Sequence, residues 1–239
     1  MNVSLSGKLV LVTGGTGGLG RAVSLAFLAE GARVAVTYRN PAEFTQLQQD
    51  AGSFAGSLTG HAVDVTNESA VRDLIASLTA NHTSLDVFVN TIGGYAGGET
   101  VWQQDASTLE RMFTLNFRAS ATMLRAAVQP MLAQKSGAII TVSSKAALDH
   151  GPRSSAYSAS KAAELAFVGS LAGELNGTGV RVNSIVPSII DTDANRKAMP
   201  DADFSTWPKP EELARVILFL ASDQASAIHG AAIPVYGAR

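Results

Sequence analysis

The sequence predicts an α/β fold, a single domain in which a doubly wound parallel sheet of about seven strands carries helices on both faces. Short apolar runs alternate with helical segments along the whole chain, and this alternation is typical of a parallel sheet covered on both sides. The connections are short, and 46% of the 239 residues are hydrophobic, which is enough for a large core. One domain spanning residues 1–239 is therefore expected.

The elements follow one another in a regular order. Strands are predicted at 8–12, 33–40, 60–63, 85–89, 137–142, 180–186 and 231–235. Helices are predicted at 21–30, 41–50, 67–80, 105–132, 157–176 and 210–221, with a loop at 51–60. Right-handed crossovers place the carboxyl ends of the strands along one edge, where open α/β sheets bind ligands. Gly14, Asn90, Ser144 and Pro187 fall at such ends and should face one cleft.

A glycine-rich turn, TGGTGGLG, occupies residues 13–20 between the first strand and the first helix. Backbone N–H groups without side chains can approach a pyrophosphate, and the dipole of the following helix favours its charge. Strand, glycine turn and helix in this order indicate a Rossmann-type dinucleotide site, with a flexible loop as the alternative. The candidate cofactor residues in the turn are Gly14, Thr16, Gly18, Leu19 and Gly20.

The end of the second strand indicates which dinucleotide binds. An NAD site usually presents an acidic residue here to the ribose 2′-hydroxyl, but this chain has Tyr38 followed by Arg39. We expect no carboxylate close enough to repel a 2′-phosphate, so the Arg39 guanidinium can pair with that group. NADP is therefore the predicted cofactor, and NAD is the alternative if Arg39 is only a solvated surface residue.

Tyr157 and Lys161 stand four residues apart in a segment that predicts a helix, and Ser144 lies upstream near the end of an apolar strand. Positions i and i+4 share a helix face, so the Lys161 ammonium can lie beside the Tyr157 phenol. A free tyrosine has a pKa of about 10, and a fixed cation nearby favours the phenolate. The pattern predicts a proton-transfer site. A chance pair on a solvated helix is the alternative, and the glycine turn argues against it.

Composition excludes several classes of function. The net charge is −2 and Lys and Arg form no block, so a small-molecule substrate is expected rather than nucleic acid or a membrane surface. The chain has no cysteine, which removes disulfides and thiolate metal sites. The N-terminus has no signal-peptide pattern, and no apolar run approaches the ~20 residues that span a bilayer, so a cytoplasmic location is expected. No catalytic metal is expected, because the histidines are widely spread: His61, His82, His150 and His229.

Taken together, these features resemble the short-chain dehydrogenase/reductase family over the whole chain. Residues 13–20 fit its TGxxxGxG motif, and Ser144 precedes Tyr157 by thirteen residues, as the family's catalytic serine does. Ser143, a strand-end hydroxyl, is the alternative for that role. Residues 90–93, Asn-Thr-Ile-Gly, resemble the family's NNAG segment with two replacements, which implies different contacts there.

The resemblance implies roles for residues that spacing alone does not single out. Asn116 corresponds to the helix asparagine that in this family holds a water linking the lysine to solvent. Lys161 would also hold the cofactor ribose. The residues implied to lie along the cofactor, from adenine to nicotinamide, are Asp64, Val65, Asn90, Gly93, Pro187, Ile190 and Thr192.

Within the family, the segments 93–98, 145–149 and 192–207 resemble dihydropteridine reductase. The last of them belongs to the substrate lid, which is expected at about 188–209. Two features differ: animal dihydropteridine reductases carry an acidic residue after the second strand and lack the catalytic serine, whereas this chain has Tyr38, Arg39 and Ser144. The lid resemblance can therefore mark common ancestry without a common substrate.

The implied reaction is NADPH-dependent reduction of a carbonyl or a quinonoid pteridine, with Tyr157 giving the proton and Ser144 bonding the developing oxyanion. Reduction of a 3-oxoacyl thioester is an alternative that needs a basic patch for an acidic carrier protein. A dinucleotide-binding protein without catalysis is a further alternative. Candidates for the basic patch are Arg118, Arg125 and Arg153, and candidates for the walls of a planar substrate site, or for loop anchors, are Tyr95, Trp102, Phe204 and Trp207.

The helical segments 109–132 and 159–175 carry apolar or small residues on more faces than packing against one sheet requires. In related reductases these two helices pair with their symmetry mates, and the C-terminal strand adds a second contact. A homotetramer is expected, with a homodimer as the alternative. The residues that suggest it are Ala119, Ala121, Met123, Ala126, Ala127, Ala162, Ala163, Ala166 and Phe167.

Overall fold

A parallel sheet forms the centre of the computed structural model, which describes residues 5–82 and 84–237. Its strands are β1 (Leu9–Thr13), β2 (Arg33–Tyr38), β3 (Leu58–Ala62), β4 (Val87–Asn90), β5 (Gly137–Val142), β6 (Val180–Pro187) and β7 (Ala232–Val235). They form one seven-stranded sheet in the order β3-β2-β1-β4-β5-β6-β7, and every neighbouring pair is parallel. The α/β fold class predicted from the sequence is confirmed.

Helices connect the strands. They are α1 (Gly18–Ala29), α2 (Pro41–Ala51), α3 (Glu68–His82), α4 (Ala106–Met112), α5 (Ala119–Gln134), α6 (Ala146–Asp149), α7 (Ser155–Glu174), α8 (Asp193–Ala198) and α9 (Pro210–Ala221). Short 3-10 turns lie at Gly52–Ser57, Phe204–Thr206 and Asp223–Ala225. The N-terminal residues 1–4 and the last two residues, on which the localisation and tetramer expectations partly relied, lie outside the described residues.

Two apolar clusters cover the two faces of the sheet. On one face Val10 packs in a cluster with Ile217 of α9, and on the other Leu11 packs in a cluster with Leu124 of α5 and Val168 of α7. Successive side chains of a strand point to opposite faces, so a central strand such as β1 is apolar at consecutive positions. This is why the central strands could be located from the sequence.

The third strand differs from its prediction. It was expected at 60–63 after a loop, whereas β3 covers Leu58–Ala62 and follows the 3-10 turn at Gly52–Ser57. Pairing with β2, from Val34 opposite Leu58 to Tyr38 opposite Ala62, sets these bounds. Leu58 is the one fully buried residue of the strand, so hydrophobic periodicity marked its position poorly.

The single long helix expected at 105–132 is divided. A π-helical segment at Phe113–Arg118 joins α4 to α5, and the helix continues through Pro130 to Gln134. Wider π turns inside an α-helix occur mostly at functional sites. Asn116, one of the predicted site residues, lies in this segment.

Candidate active site

The glycine turn joins β1 to α1 at the carboxyl edge of the sheet. Gly14 has a φ of 68°, in the left-handed region that other residues rarely adopt. A Cβ on Gly20 would collide with the Gly14 carbonyl oxygen, so the helix can approach the turn this closely only because residue 20 is glycine. The first turn of α1, all of whose residues are described, contains no acidic side chain. The N–H groups at this helix N-terminus are therefore open to an anion.

The segment 188–209, expected as the substrate lid, begins beside the glycine turn. A Cβ on Gly18 would lie 2.9 Å from Thr192 Cγ2, so the Thr192 side chain packs against the backbone of the glycine turn. Thr192 caps α8 by accepting a hydrogen bond from Asn195 N (3.2 Å), and the Ile190 carbonyl accepts one from Asn195 Nδ2 (2.8 Å). Pro187 ends β6, and its carbonyl accepts a hydrogen bond from Lys145 N at 2.8 Å. The glycine turn, the segment 188–209 and the end of β6 thus share one edge, and the role of that segment as a lid stays a prediction.

The residues predicted for the adenosine end of the cofactor follow β2 and β3. Tyr38 stacks on Phe44 with 4.9 Å between ring centroids, and Arg39 is exposed. The pKa of Asp64 is lowered, chiefly by hydrogen bonds that Thr66 donates and to a lesser degree by the positive charge of Arg39. Val65, the next residue, packs against the cluster that contains α5 and α7.

One expectation about this end of the site is wrong. The sequence was expected to place no carboxylate near a 2′-phosphate, but Glu43 accepts hydrogen bonds from Thr16 Oγ1 (2.9 Å) and Asn40 Nδ2 (3.5 Å). Its carboxylate therefore lies between the glycine turn and the end of β2, where the 2′-phosphate of NADP would be recognised. The cause is tertiary: α2 begins at Pro41 and turns Glu43 back toward the glycine turn.

Two serines follow β5, and the structure separates them. Ser143 is buried, and its hydroxyl donates to the Lys161 carbonyl at 3.4 Å. Ser144 is half-buried, and its Oγ accepts a hydrogen bond from Ala146 N at 3.2 Å. A hydroxyl in that position keeps its own proton free to donate to a substrate oxygen. Ser144 is therefore the better placed of the two for the predicted role.

Tyr157 and Lys161 lie one turn apart on α7, as the spacing predicted. Tyr157 is half-buried, and the Tyr95 ring packs edge-on against its ring with 5.0 Å between centroids. Lys161 is buried, and its ammonium donates to the Val142 carbonyl at 2.8 Å. The carbonyl at the end of β5 thus anchors the lysine beside the strand end that Ser144 follows.

The same ammonium forms a buried ion pair. Lys161 Nζ lies 2.8 Å from Glu164 Oε2, and the side chains are 4% and 1% exposed. The other carboxylate oxygen, Oε1, accepts hydrogen bonds from Ser120 Oγ (2.8 Å) and Asn90 Nδ2 (3.2 Å). Asn90 in turn accepts a hydrogen bond from Thr13 Oγ1 at 2.7 Å. This polar network joins the first residue of the glycine turn to the predicted catalytic lysine; its members are Thr13, Asn90, Ser120, Glu164 and Lys161.

Asn116 bonds to a neighbouring loop and to α7. Its Oδ1 accepts from Gly94 N (2.8 Å), and its Nδ2 donates to the Gly94 carbonyl (3.0 Å) and to Ser160 Oγ (2.9 Å). A Cβ on Gly93 would lie 3.3 Å from both Asn116 Oδ1 and Lys161 Nζ, so the two polar groups flank the same glycine. The water relay between them stays a prediction.

The replacement of the family's second asparagine by Thr91 has a visible consequence. Thr91 Oγ1 donates to the Thr13 carbonyl at 2.7 Å and approaches the Gly14 carbonyl at 3.3 Å. The hydroxyl therefore ties the end of β4 to the start of the glycine turn. The altered contacts that the sequence implied here involve β1, the strand next to β4.

The four aromatic residues proposed as substrate walls fall into two pairs. Tyr95 and Trp102 are 66% and 84% exposed, and they lie on the loop between β4 and α4. Trp207 is only 6% exposed and packs against Phe204 with 5.0 Å between ring centroids. Trp207 therefore anchors the lid, which was the alternative reading, while Tyr95 borders Tyr157.

The residues at this edge of the sheet can hold a dinucleotide. The open N-terminus of α1 and the glycine turn can hold a pyrophosphate, and the polar strand ends lie at the same edge of the sheet. The described part of the chain contains no cluster of three His, Asp or Glu side chains that could hold a metal ion. None of its helices is long and apolar enough to cross a membrane.

A parallel sheet with this turn after its first strand, and with Ser144, Tyr157 and Lys161 at the same edge, defines a dinucleotide-dependent oxidoreductase. The family model described as short chain dehydrogenase matches residues 8–203. The chain belongs to the short-chain dehydrogenase family and is an NAD(P)-dependent oxidoreductase.

Relatives of known description cover nearly the whole chain. A 3-oxoacyl-acyl-carrier-protein reductase of Thermotoga maritima is 29% identical, with 98% of each chain aligned. D-threitol dehydrogenase of Mycolicibacterium smegmatis is 33% identical, over 98% of this chain and 93% of the relative. Among solved structures, ElxO with NADP bound superposes with a TM-score of 0.90 at 26% identity, covering 95% of this chain and 96% of the other.

Sequence reasoning missed two residues of the site. Glu164 lies three positions after Lys161, on the same helix face, so the i, i+3 spacing could have identified the pair. Glu43 had no such local signal, because its partner Thr16 is 27 residues away in the sequence.

Proposed function

We propose that this protein reduces a carbonyl group of a small molecule with NADPH. One observation carries the proposal: Tyr157 and Lys161 lie one turn apart on α7, and the Lys161 ammonium bonds to the carbonyl of Val142 at the end of β5, two residues before Ser144. The glycine turn and the lid meet at the same edge of the sheet. These contacts support a cleft in which Tyr157 acts as the acid, Ser144 as the oxyanion donor and the glycine turn as the cofactor cradle.

Each residue has a distinct task in this mechanism. Bound NADPH supplies hydride to the carbonyl carbon. Tyr157 donates its phenolic proton to the carbonyl oxygen, and Ser144 donates a hydrogen bond to the same oxygen as negative charge develops there. Lys161, held by Val142 and Glu164, keeps a positive charge close to Tyr157 and favours its release of the proton. Asn116 holds the loop at Gly94 against α7 and anchors the path by which the proton is replaced.

The cofactor preference depends on two opposing charges. Arg39 favours a 2′-phosphate, whereas Glu43 repels one. The Glu43 carboxylate is bonded to Thr16, whose hydroxyl can donate to a phosphate instead once Glu43 moves away. We propose that NADPH is preferred over NADH and that Glu43 limits the preference. ElxO, whose structure contains NADP, supports this choice.

Two substrate classes follow from different observations. The Thermotoga maritima relative is a 3-oxoacyl-acyl-carrier-protein reductase, which favours a 3-oxoacyl thioester. The resemblance of the lid segment to dihydropteridine reductase, with Tyr95 exposed beside Tyr157, favours a flat quinonoid pteridine. The arginines suggested for a carrier-protein patch lie apart: Arg125 pairs with Glu68, and Arg153 donates to the Gly98 carbonyl. A free thioester is therefore a better first candidate than its carrier-bound form.

The test is a side-by-side assay. The purified protein is given acetoacetyl thioester or quinonoid dihydropteridine, each with NADPH and with NADH. Oxidation of the cofactor is followed by the loss of the absorbance of reduced nicotinamide. Turnover of the thioester above the pteridine assigns the first class, and the reverse assigns the second. Absence of turnover with both compounds, and with a panel of simple ketones, would contradict the proposal.

Assembly is a further part of the proposal. A groove of about 630 Å³ lies between α3, α5 and α7, and it is lined by none of the candidate site residues. Three residues that suggested an interface, Ala119, Met123 and Ala127, are buried within this chain instead, the last two in the apolar cluster on one face of the sheet. Ala166 is exposed on α7, and Phe167 lines the groove. We propose that a second copy covers this face, giving a homodimer or a homotetramer.

A further inference from the structure

The buried ion pair between Lys161 and Glu164 adds a fourth charged or polar residue to Ser144, Tyr157 and Lys161. We propose that Glu164 is a positioning residue that acts through Lys161, and that its carboxylate sets the pH range in which Tyr157 can donate a proton. This inference rests on the proposed function, because it assumes that Tyr157 is the proton donor. Glu164 lies at the i+7 position relative to Tyr157, so all three side chains follow one face of α7.

The geometry fixes the lysine on two sides. The Val142 carbonyl and Glu164 Oε2 each accept from Lys161 Nζ at 2.8 Å, which uses two of the three ammonium donors. The third remains for the cleft. Glu164 is itself fixed, because Ser120 and Asn90 donate to its other oxygen from α5 and β4. The lysine side chain is thus held in one orientation by partners on β5 and α7, the second of which is itself held from α5 and β4.

Packing alone does not require a buried carboxylate at position 164. A carboxylate that is 1% exposed has lost its hydration, and proteins seldom bury one unless it is paired and hydrogen-bonded. An apolar side chain at this position would fill the space at lower cost, and it would leave the Lys161 charge uncompensated. The arrangement therefore keeps the lysine charged in the core and at the same time offsets part of its field at Tyr157.

The groups that face this cluster are few. Among the described residues, the groups that bond to the pair from β4, β5 and α5 are neutral, and the titratable side chains on this face of α7 are Lys161, Glu164, Tyr157 and, edge-on to the last, Tyr95. Three charged side chains of other packed elements have contacts elsewhere: Lys145 with Asp149 on α6, Arg125 with Glu68, and Arg181 of β6 with the carbonyls of Leu220 and Ser222. Arg111 and Arg118, on the helix from α4 to α5, are exposed.

Removing the negative charge of Glu164 should lower the pH at which Tyr157 and Lys161 together lose their first proton. Without it, both Tyr157 and Lys161 bind protons less tightly, so the first proton lost by the coupled pair leaves at lower pH, whichever group releases it. Reduction needs the protonated phenol and stops above that pH. Glu164→Gln should therefore move the upper half-activity pH of carbonyl reduction down by about one pH unit or more.

The experiment is the pH profile of kcat/KM for carbonyl reduction in the parent and in three variants at this position. Glu164→Gln and Glu164→Leu both remove the charge, and either one that folds should show the downward shift. Glu164→Asp retains the charge on a shorter side chain, so its half-activity pH should stay near that of the parent while kcat falls. Glu110→Gln, at an exposed position on α4, is the matched control and should change neither quantity.

The outcomes separate this inference from the proposed function. A profile of Glu164→Gln or Glu164→Leu that superimposes on the parent's, in folded protein, overturns the role of Glu164 while leaving Tyr157 as the donor. An equal shift in Glu164→Asp would mean that packing, not charge, is responsible, and it would overturn the proposal as well. Failure of the proposed function would show differently, as the absence of carbonyl reduction in the parent protein. Retained reduction in Tyr157→Phe would instead remove Tyr157 as the donor on which this inference rests.

Discussion

Lys161 and Glu164 form an ion pair of 2.8 Å on α7, and both side chains are almost completely buried. The pair lies at the junction of α7 with β4, β5 and α5, because Asn90, Val142 and Ser120 supply the remaining hydrogen bonds. Asn90 also bonds to Thr13, the last residue of β1 and the first of the glycine turn. The predicted catalytic lysine is thus connected to the cofactor cradle through the core of the protein.

Tyr157→Phe should abolish most of the carbonyl reduction. The variant keeps the ring that packs against Tyr95 and loses only the transferable proton. We expect kcat to fall by a factor of roughly 10²–10⁴ with the affinity for NADPH nearly unchanged. Steady-state kinetics and a fluorescence titration with NADPH measure the two quantities. Retained turnover would show that another group supplies the proton.

Ser144→Ala distinguishes the two substrate classes. For an ordinary carbonyl, the oxyanion loses one hydrogen bond, and kcat should fall by about 10²–10³. For a quinonoid pteridine, the developing charge spreads over the ring system, so the loss should be mild. Ser143→Ala is the matched control, because its buried hydroxyl bonds to the Lys161 carbonyl rather than facing the cleft. A larger loss in Ser143→Ala than in Ser144→Ala would reverse the assignment.

Substitutions at Arg39 and Glu43 should change the affinity for NADPH in opposite directions. Arg39→Asp removes the cation expected to pair with the 2′-phosphate, and it should weaken NADPH binding by ~1–3 kcal/mol. Glu43→Gln removes the anion bonded to Thr16, and it should strengthen NADPH binding by on the order of 1 kcal/mol. Isothermal titration with NADPH and NADH measures both effects. NADH affinity should change little in Glu43→Gln, and equal affinities for the two cofactors in the parent would refute the preference.

Ala166→Glu tests the proposed interface. Ala166 is exposed on α7, so the substitution adds a charge to the outer face without disturbing the core. We expect light scattering to find a dimer or tetramer for the parent and smaller species for this variant. Ala29→Glu, at an exposed position near the end of α1, should leave the mass of the parent unchanged. A parent that is monomeric at micromolar concentration would rule out both assemblies.

The fold class, the glycine turn and the pair of Tyr157 and Lys161 could be predicted from the sequence, because each depends on residues that are close together in it. Buried parallel strands are apolar on both faces, a helix sets i and i+4 side by side, and a glycine turn must stand between strand and helix to receive a phosphate. The edge strand β3 was located less well, because only Leu58 in it is fully buried and its bounds follow from pairing with β2.

The distribution of charge within the site follows from contacts between segments that are distant in the sequence. Glu43 reaches Thr16 because α2 folds back on the glycine turn, and Glu164 is surrounded by groups from β4 and α5 that are distant in sequence. The π segment that carries Asn116 likewise has no local signature in the residues of 105–132. The energy of a carboxylate depends on which dipoles and charges surround it in space, and sequence separation does not give those distances.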